Sequence, residues 1–192
     1  MKILAYIETT VRDRHGKVIS HHKKRSRSFV RGFNHMLCAM MRGQSTPDPV
    51  IQTKDTGGTL RNLRNANNCF IADSGIGIIT FGIRVGTSNQ AVDIEDYALI
   101  AAIAEGGAAD QLNHQATTCT YVGVAGAQCS FTVQRQLNNN SGGDITIEEA
   151  GIYNSFKGVS AARFIMGCRD LASELIPDTG NITVTYTIRV VV

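Results

Sequence analysis

The chain has 192 residues, of which 43% are hydrophobic and 18% charged, with five cysteines and a formal net charge of +3. This length suits one domain with a sizeable core, and no apolar run is long enough to cross a membrane as a helix. The cysteines are odd in number, widely spaced and without a C-x-x-C pair, which argues against a disulfide framework and a structural zinc site. We therefore expect no cofactor, and reduced thiols in a protein made in a cytoplasm.

Positive charge is concentrated near the beginning of the chain. Residues 12–31 contain eight basic residues and one acid, Asp13, so this segment carries +7 and leaves −4 for the remainder. Its basic run has three open interpretations: a solvated surface, docking on an acidic protein surface, or nucleic-acid binding. The candidate partner-binding residues are Lys23, Lys24, Arg25, Arg27 and Arg31.

Residues 1–44 are predicted to form a basic β-hairpin followed by one amphipathic helix. Residues 3–11 suit a strand, residues 13–16 a turn, and residues 17–22 a returning strand. Ser28 is a candidate helix cap. After it, apolar residues recur at the three-to-four spacing of one helical stripe: Phe29, Val30, Phe33, Met36, Leu37, Met40 and Met41.

Residues 45–68 are predicted to be a long polar loop. This segment contains Pro47, Pro49 and a Gly57-Gly58 pair, and its length exceeds that of an ordinary connection. We expect the loop to be functional, to lie over a neighbouring subunit, or to be partly disordered. Further along, Asp93 and Asp96 are predicted to begin a short helix that continues to Ile103.

Residues 69–192 are predicted to form a mainly-β body, an antiparallel β-sandwich or jelly-roll-like fold, because short alternating stretches are separated by turn residues at regular intervals. A change of parity predicts a β-bulge near Glu148 and Glu149. Residues 182–192 alternate almost without interruption, which predicts a strand with one apolar face. A strand at this position is either tied into the sheet or offers its backbone edge to another chain.

Motifs for catalysis are weak throughout the chain. The Asp55-Thr56-Gly57 and Asp73-Ser74-Gly75 triplets resemble aspartic-protease signatures, but they lie too close together for two equivalent lobes and suit ordinary turns better. The serines and cysteines lack a recognisable motif that supplies a base, and no histidine or carboxylate spacing predicts a metal site. We expect a protein that is not an enzyme.

Several stretches resemble virion structural proteins of tailed bacteriophages, in matching order along the chain. They are Gly82-Ile83-Arg84-Val85-Gly86-Thr87, the stretch from Val92 to Leu99, Ile145-Thr146-Ile147-Glu148-Glu149-Ala150-Gly151-Ile152-Tyr153, Cys168-Arg169-Asp170-Leu171 and Thr183-Val184-Thr185-Tyr186-Thr187-Ile188, with Arg25-Ser26-Arg27-Ser28-Phe29-Val30 before them. The resemblance covers about two thirds of the chain. It implies a component of the capsid, neck or tail that is made in the host bacterial cytoplasm and located in the virion.

The resemblance implies that other virion structural proteins are the partners, in a homo-oligomer or symmetric assembly, with no membrane contact. Two alternative functions remain. A receptor- or carbohydrate-binding tail module would need an exposed aromatic cluster, whereas only 6% of the residues are aromatic and none is Trp. A nucleic-acid-binding packaging factor would use the basic arm, and its affinity for DNA would fall steeply with salt.

Overall fold

A computed structural model describes residues 2–26, 28–42, 48–63, 70–157 and 162–191. The chain is mainly β, with 60% strand and 7% helix. The helix α1 spans Arg31–Arg42. The strands are β1 (Lys2–Arg12), β2 (Val18–Ser26), β3 (Asp48–Lys54), β4 (Leu60–Leu63), β5 (Gly82–Gly86), β6 (Ala104–Glu105), β7 (Gln111–Ala125), β8 (Gln128–Asn138), β9 (Ile145–Lys157), β10 (Ala162–Ile176) and β11 (Asn181–Val191).

The strands form two main sheets and a hairpin. The larger sheet has the order β2-β1-β11-β8-β7-β6, and all its pairs are antiparallel except β6 with β7. The smaller sheet has the order β10-β9-β5, and β3 pairs with β4. Apolar side chains from both main sheets form one core, including Ile7, Leu137, Ile147 and Ile182. The predicted class, a mainly-β, sandwich-like body with an N-terminal hairpin and one helix, is confirmed.

β11 forms as its alternation predicts, but both of its edges are occupied. It lies between β1 and β8 and pairs with each along nearly its whole length. Ile182, Val184 and Tyr186 are fully buried, whereas Ile188 and Val190, on the same face, are only partly covered. The final strand therefore offers no open edge to another chain, and only the first half of its apolar face belongs to the closed core.

The N-terminal hairpin and the helix form close to the predicted bounds. Asp13 accepts backbone hydrogen bonds from His15 and Lys17, which stabilises the turn between β1 and β2. The expected capping role of Ser28 is wrong. Its hydroxyl donates instead to Asp170 Oδ1 at 2.9 Å, and α1 begins three residues later, at Arg31.

Two other expectations differ from the structure. Within the predicted loop of residues 45–68, β3 and β4 form a hairpin, in which Asp55 accepts hydrogen bonds from Gly57 N, Thr59 N and Arg61 Nε. Residues 43–47 and 64–69 lie outside the described part of the chain. The helix predicted over residues 93–103 is absent, because Asp93 and Asp96 cap local turns rather than a helix.

The predicted bulge lies at the expected place but on the opposite strand. The register between β9 and β10 shifts between the pairs Leu171–Glu149 and Glu174–Ile147. The extra residue is therefore in β10 and not beside Glu148 in β9. Among the described residues, no helix is both long and apolar enough to cross a membrane.

Three charged side chains, Arg169, Glu149 and Asp96, form one largely buried network. Arg169 of β10 donates to Glu149 of β9 (Nε to Oε2, 2.7 Å) and to Asp96 of the preceding loop (Nη1 to Oδ2, 2.8 Å). Glu149 also accepts the backbone N–H groups of Ile100 and Ala101. Gly86 of β5 leaves room for this carboxylate, since a Cβ there would lie 2.4 Å from Glu149 Oε1. These residues therefore hold the loop of residues 87–101 against the smaller sheet.

Candidate assembly surface

The far end of the β7–β8 hairpin extends beyond the closed core. Its two-residue turn uses Gly126 at a positive φ of 58°, as expected at the first position of a tight hairpin loop. Three large side chains are strongly exposed there: Tyr121 at 70%, Val122 at 61% and Val124 at 71%. This concentration of exposed apolar residues at one end of a sheet requires an explanation.

A β-bulge directs these apolar side chains to one face. The register between β7 and β8 shifts between the pairs Tyr121–Phe131 and Gly123–Ser130, so β7 contains one extra residue, Val122. After the shift, Val124 pairs with Cys129, which lies on the same inner face of β8 as Phe131. The bulge therefore keeps Val124 on the same face as Tyr121.

One backbone edge of β7 has no strand partner beyond Thr117 among the described residues. β6 pairs only with its first two residues, and Ser74 forms an isolated bridge with Thr117. From Thr118 to Ala125, no described residue pairs with β7 on the side away from β8. An open strand edge presents unpaired N–H and C=O groups that another strand can use.

This edge lacks charged side chains, the usual protection of an open strand. Between Asp110 and Arg135, the sequence contains no Asp, Glu, Lys or Arg. Soluble proteins commonly place Lys, Pro or a charged residue on such an edge to prevent pairing with other chains. Here the exposed positions of β7 are Thr118, Cys119, Thr120 and the apolar residues near the turn.

An apolar groove of about 690 Å³ lies beside this hairpin, between α1 and the inner face of the larger sheet. Helix α1 has two apolar sides: Met36 and Ala39 are buried in the chain's own core, whereas Phe33 and Leu37 border the groove. Phe33 contacts two other rings, with centroid distances of 4.1 Å to Phe29 and 5.5 Å to Phe70. Both sheets contribute to the other sides of the groove: the larger sheet provides Ile3, Cys119, Tyr121, Phe131, Val133, Ile188 and Val190, and the smaller sheet provides Ile152, Asn154, Gly167 and Cys168.

The five predicted partner-binding residues do not form one free basic patch. Lys23 Nζ pairs with Glu8 Oε2 at 2.7 Å, and Lys24 Nζ donates to the Leu171 carbonyl at 2.6 Å. Arg31 Nη1 lies 2.9 Å from both carboxylate oxygens of Glu95, in an exposed pair. Arg25 is exposed on β2, and Arg27 lies outside the described residues.

The inner face of β2 docks on acidic residues of β10 within the same chain. Asp170 accepts hydrogen bonds from Ser26 (2.7 Å) and Ser28, and burial raises the pKa of its carboxyl. Glu174 Oε1 accepts from Thr9 and lies 2.7 Å from His22 Nδ1, and Glu174 Oε2 accepts from Ser20 at 2.7 Å.

Burial alone would raise the pKa of Glu174, but these hydrogen bonds outweigh it and lower the pKa from 4.5. The basic N-terminal hairpin therefore contacts acidic residues of its own chain, Asp170 and Glu174.

Another polar cluster anchors the beginning of β7. Arg135 is fully buried, and its guanidinium donates to the carbonyls of Gln115, Ile83 and Ile78. His114 is also fully buried; its Nδ1 lies 2.8 Å from Glu105 Oε2, and its Nε2 has no described partner.

Burial, with the nearby charges of Arg135 and Arg84, lowers the pKa of His114 from 6.5 to about 4. The ring is therefore neutral at pH 7, with its proton on Nδ1.

The described residues contain no group of three or more His, Cys, Asp or Glu side chains arranged to hold a metal ion. Full burial raises the pKa of the Cys168 thiol, whereas partial desolvation and the nearby Asp73 carboxylate raise that of the exposed Cys119 thiol. The polar clusters are satisfied mainly by backbone groups and by each other, which is typical of structural networks.

Comparison with known proteins adds no assignment. No family model, curated protein or solved structure matches the chain. The surface is therefore interpreted from its own geometry. Sequence reasoning missed the β7 edge and the groove, although the uncharged run of residues 111–134 was a visible signal for the edge.

Proposed function

We propose that this chain is a non-enzymatic structural protein of a tailed-phage particle, which assembles through contacts with neighbouring virion subunits. The observation that carries the proposal is the uncharged, unpaired edge of β7 beside an apolar groove. A soluble monomer normally avoids such an edge, whereas an assembly component uses it to bind its neighbours.

The resemblance supplies the phage context. Its segments supply β5, β9, β10 and β11 and the buried network of Asp96, Glu149 and Arg169, so the similar residues are those that build the fold. The surface that we assign to assembly lies mostly outside these segments, on β7, β8 and α1. This division is typical of a shared scaffold fold that carries a contact surface specific to one protein.

The two alternative functions have less support. A packaging factor would need free cations, whereas Lys23, Lys24 and Arg31 already contact groups of the same chain. A carbohydrate-binding module would need polar groups in its groove, and the groove described here is almost entirely apolar.

The test is mass spectrometry of particles purified by density gradient from the virus that encodes the chain, with heads and tails separated. We expect the protein in one particle fraction at a constant ratio to the major structural proteins of that fraction. A non-structural protein of the same virus, measured in the same fractions, controls for contamination from the lysate. Loss of the chain together with this control protein during purification would refute the proposal.

A further inference from the structure

We propose that the open edge of β7 pairs antiparallel with β7 of a second copy of this chain, joining two six-stranded sheets across a two-fold axis. This inference rests on the proposed assembly function and names a partner for its surface. The first supporting observation is the edge itself, which no described residue occupies between Thr118 and Ala125. At about 3.4 Å per residue, this stretch is roughly 27 Å long, enough for a short strand pair.

The regular part of this edge is short and well defined. Bulges lie on either side of it, one between His114 and Thr117 and one at Val122. Between them, the stretch from Thr117 to Tyr121 pairs with β8 in an unbroken register. A two-fold axis within this stretch would align the same residues of both copies, which is the self-complementary arrangement of a symmetric dimer.

Charge favours self-pairing of β7 and opposes it for β2, the other edge of the same sheet. Two copies of β7 would place threonine, cysteine and tyrosine side chains against one another, with no charged side chain from the strand itself, although the Asp73 carboxylate lies close enough to raise the pKa of Cys119. Two copies of β2 would oppose Lys23 and Arg25 with the same residues, because both point to the outer face of that strand. Like charges directly opposite each other destabilise a strand pair.

Charge also argues against a head-to-tail contact between β7 and β2 of the next copy. That contact would set two cations, Lys23 and Arg25, beside a strand that has no carboxylate of its own, with Asp73 near Cys119 as one acid against two cations. A two-fold pair keeps these charges in water and buries only uncharged side chains.

The groove gives such a pair additional contact area. Cys119 and Tyr121 lie on the inner face of β7 and form the margin of the groove. In the two-fold pair, the same side chains of the second copy continue this apolar surface across the axis. The exposed aromatic and aliphatic side chains of both hairpin ends would then lie against protein rather than water, which favours association.

The first experiment measures the association of the full-length protein by sedimentation velocity over a range of concentrations. We expect a concentration-dependent dimer that Thr120→Lys weakens about tenfold or more, since the new cation would face its symmetry mate near the axis. Thr132→Lys is the matched control. Thr132 pairs with Thr120 from the neighbouring strand β8 and shares its face, but it does not lie at the edge. Thermal unfolding of both variants verifies that each remains folded.

The second experiment uses a short bis-maleimide cross-linker to identify the strands in contact. One protein keeps Cys119 and carries Cys38→Ser, Cys69→Ser and Cys129→Ser; the remaining thiol, Cys168, is buried. A second protein carries these changes with Cys119→Ser and Lys23→Cys. We expect cross-linked dimers of the first protein and no cross-link between the first and the second.

The outcomes separate this inference from the proposed function. A protein that is monomeric at every concentration, or a cross-link between positions 119 and 23, would overturn two-fold pairing even if the protein occurs in particles. If the protein forms β7-linked dimers but is absent from particles, the pairing is supported and the virion role is refuted.

Discussion

The two edges of the larger sheet are built in opposite ways. At one edge, β2 carries cations on its outer face, and its inner face is attached to β10 through Ser20, Ser26 and Lys24. At the other edge, β7 has no charged residue over its whole length, and beyond Thr117 it lacks a described strand partner on its outer side. One edge is protected against pairing and the other is available for it.

This difference determines the kind of assembly that the sheet can support. A chain with two available edges can add copies at both and grow without limit, whereas a chain with one available edge closes after a single pairing. If β7 pairs with a second copy as we propose, the cations of β2 would restrict further growth, because they oppose pairing at the second edge.

The largest expected effect comes from removing the protection of β2. Lys23→Thr combined with Arg25→Thr gives the sheet a second uncharged edge, so we expect open polymers in place of closed pairs. Light scattering and electron microscopy measure the change in size. Arg14→Thr combined with Lys17→Thr removes the same charge from the turn and should leave the size unaltered. Unchanged size in the β2 variant would show that charge does not protect this edge.

The next effect distinguishes the closed core from the open groove along β11. Ile182 is fully buried and Ile188 borders the groove on the same face of the strand. We expect Ile182→Ala to lower the free energy of unfolding by about 3–4 kcal/mol, through lost burial and a residual cavity, and Ile188→Ala by about 1 kcal/mol in the monomer. Urea denaturation at low protein concentration measures both. Equal losses of unfolding free energy in the two variants would mean that residues of the same chain cover Ile188.

Acidic pH should lower the free energy of unfolding by a comparable amount, through the buried His114 near the beginning of β7. The fold holds His114 neutral, so the unfolded chain takes up a proton first as the pH falls below 6.5, and stability declines until the folded histidine titrates at about 4. The full contribution of this residue is about 3 kcal/mol. An NMR titration of the assigned His114 ring measures its pKa directly, with the same titration of the urea-unfolded protein as the reference. A His114 pKa near 6.5 would contradict this prediction.

The smallest effect concerns the attachment of β2. Glu174→Ala removes the acceptor shared by Thr9, Ser20 and His22, so we expect a loss of about 2 kcal/mol and faster amide exchange in β2 than in β11. Hydrogen exchange measured by mass spectrometry resolves the two strands. Glu148→Ala, a change of the same type on neighbouring β9, serves as the control. Uniform exchange in both strands would show that Glu174 does not anchor the edge.

The sequence predicted elements well where local spacing determines them. The alternation of residues 182–192 and the apolar stripe of α1 depend on near neighbours, and both elements form where expected. Asp93 and Asp96 also suit a helix start locally, but Arg169 binds Asp96 from a distant strand and the loop remains irregular. The sequence did not predict β3 and β4 within the long polar segment, because these strands are short and their polar and apolar residues do not alternate regularly.

Strand neighbours and edges were not predictable, since they depend on contacts between residues far apart in the sequence. Nothing near Ile182 indicates that β1 and β8 flank β11. The docking of β2 on Asp170 and Glu174 had an indirect signal in the opposite charges of the two segments, although pairing within one chain could not be distinguished from pairing with another. The uncharged run of β7 was the clearest unused signal.

The central position of β11 has a consequence for biosynthesis. Because the ribosome makes β11 after every other described strand, the β1–β2 hairpin and the β7–β8 hairpin cannot join into one sheet until translation has passed Val191. Until then, both hairpins present unsatisfied edges to the crowded cell, and the closing step joins segments that are distant in sequence and therefore slow to meet. We therefore expect insertion of β11 between β1 and β8 to be a late step in folding.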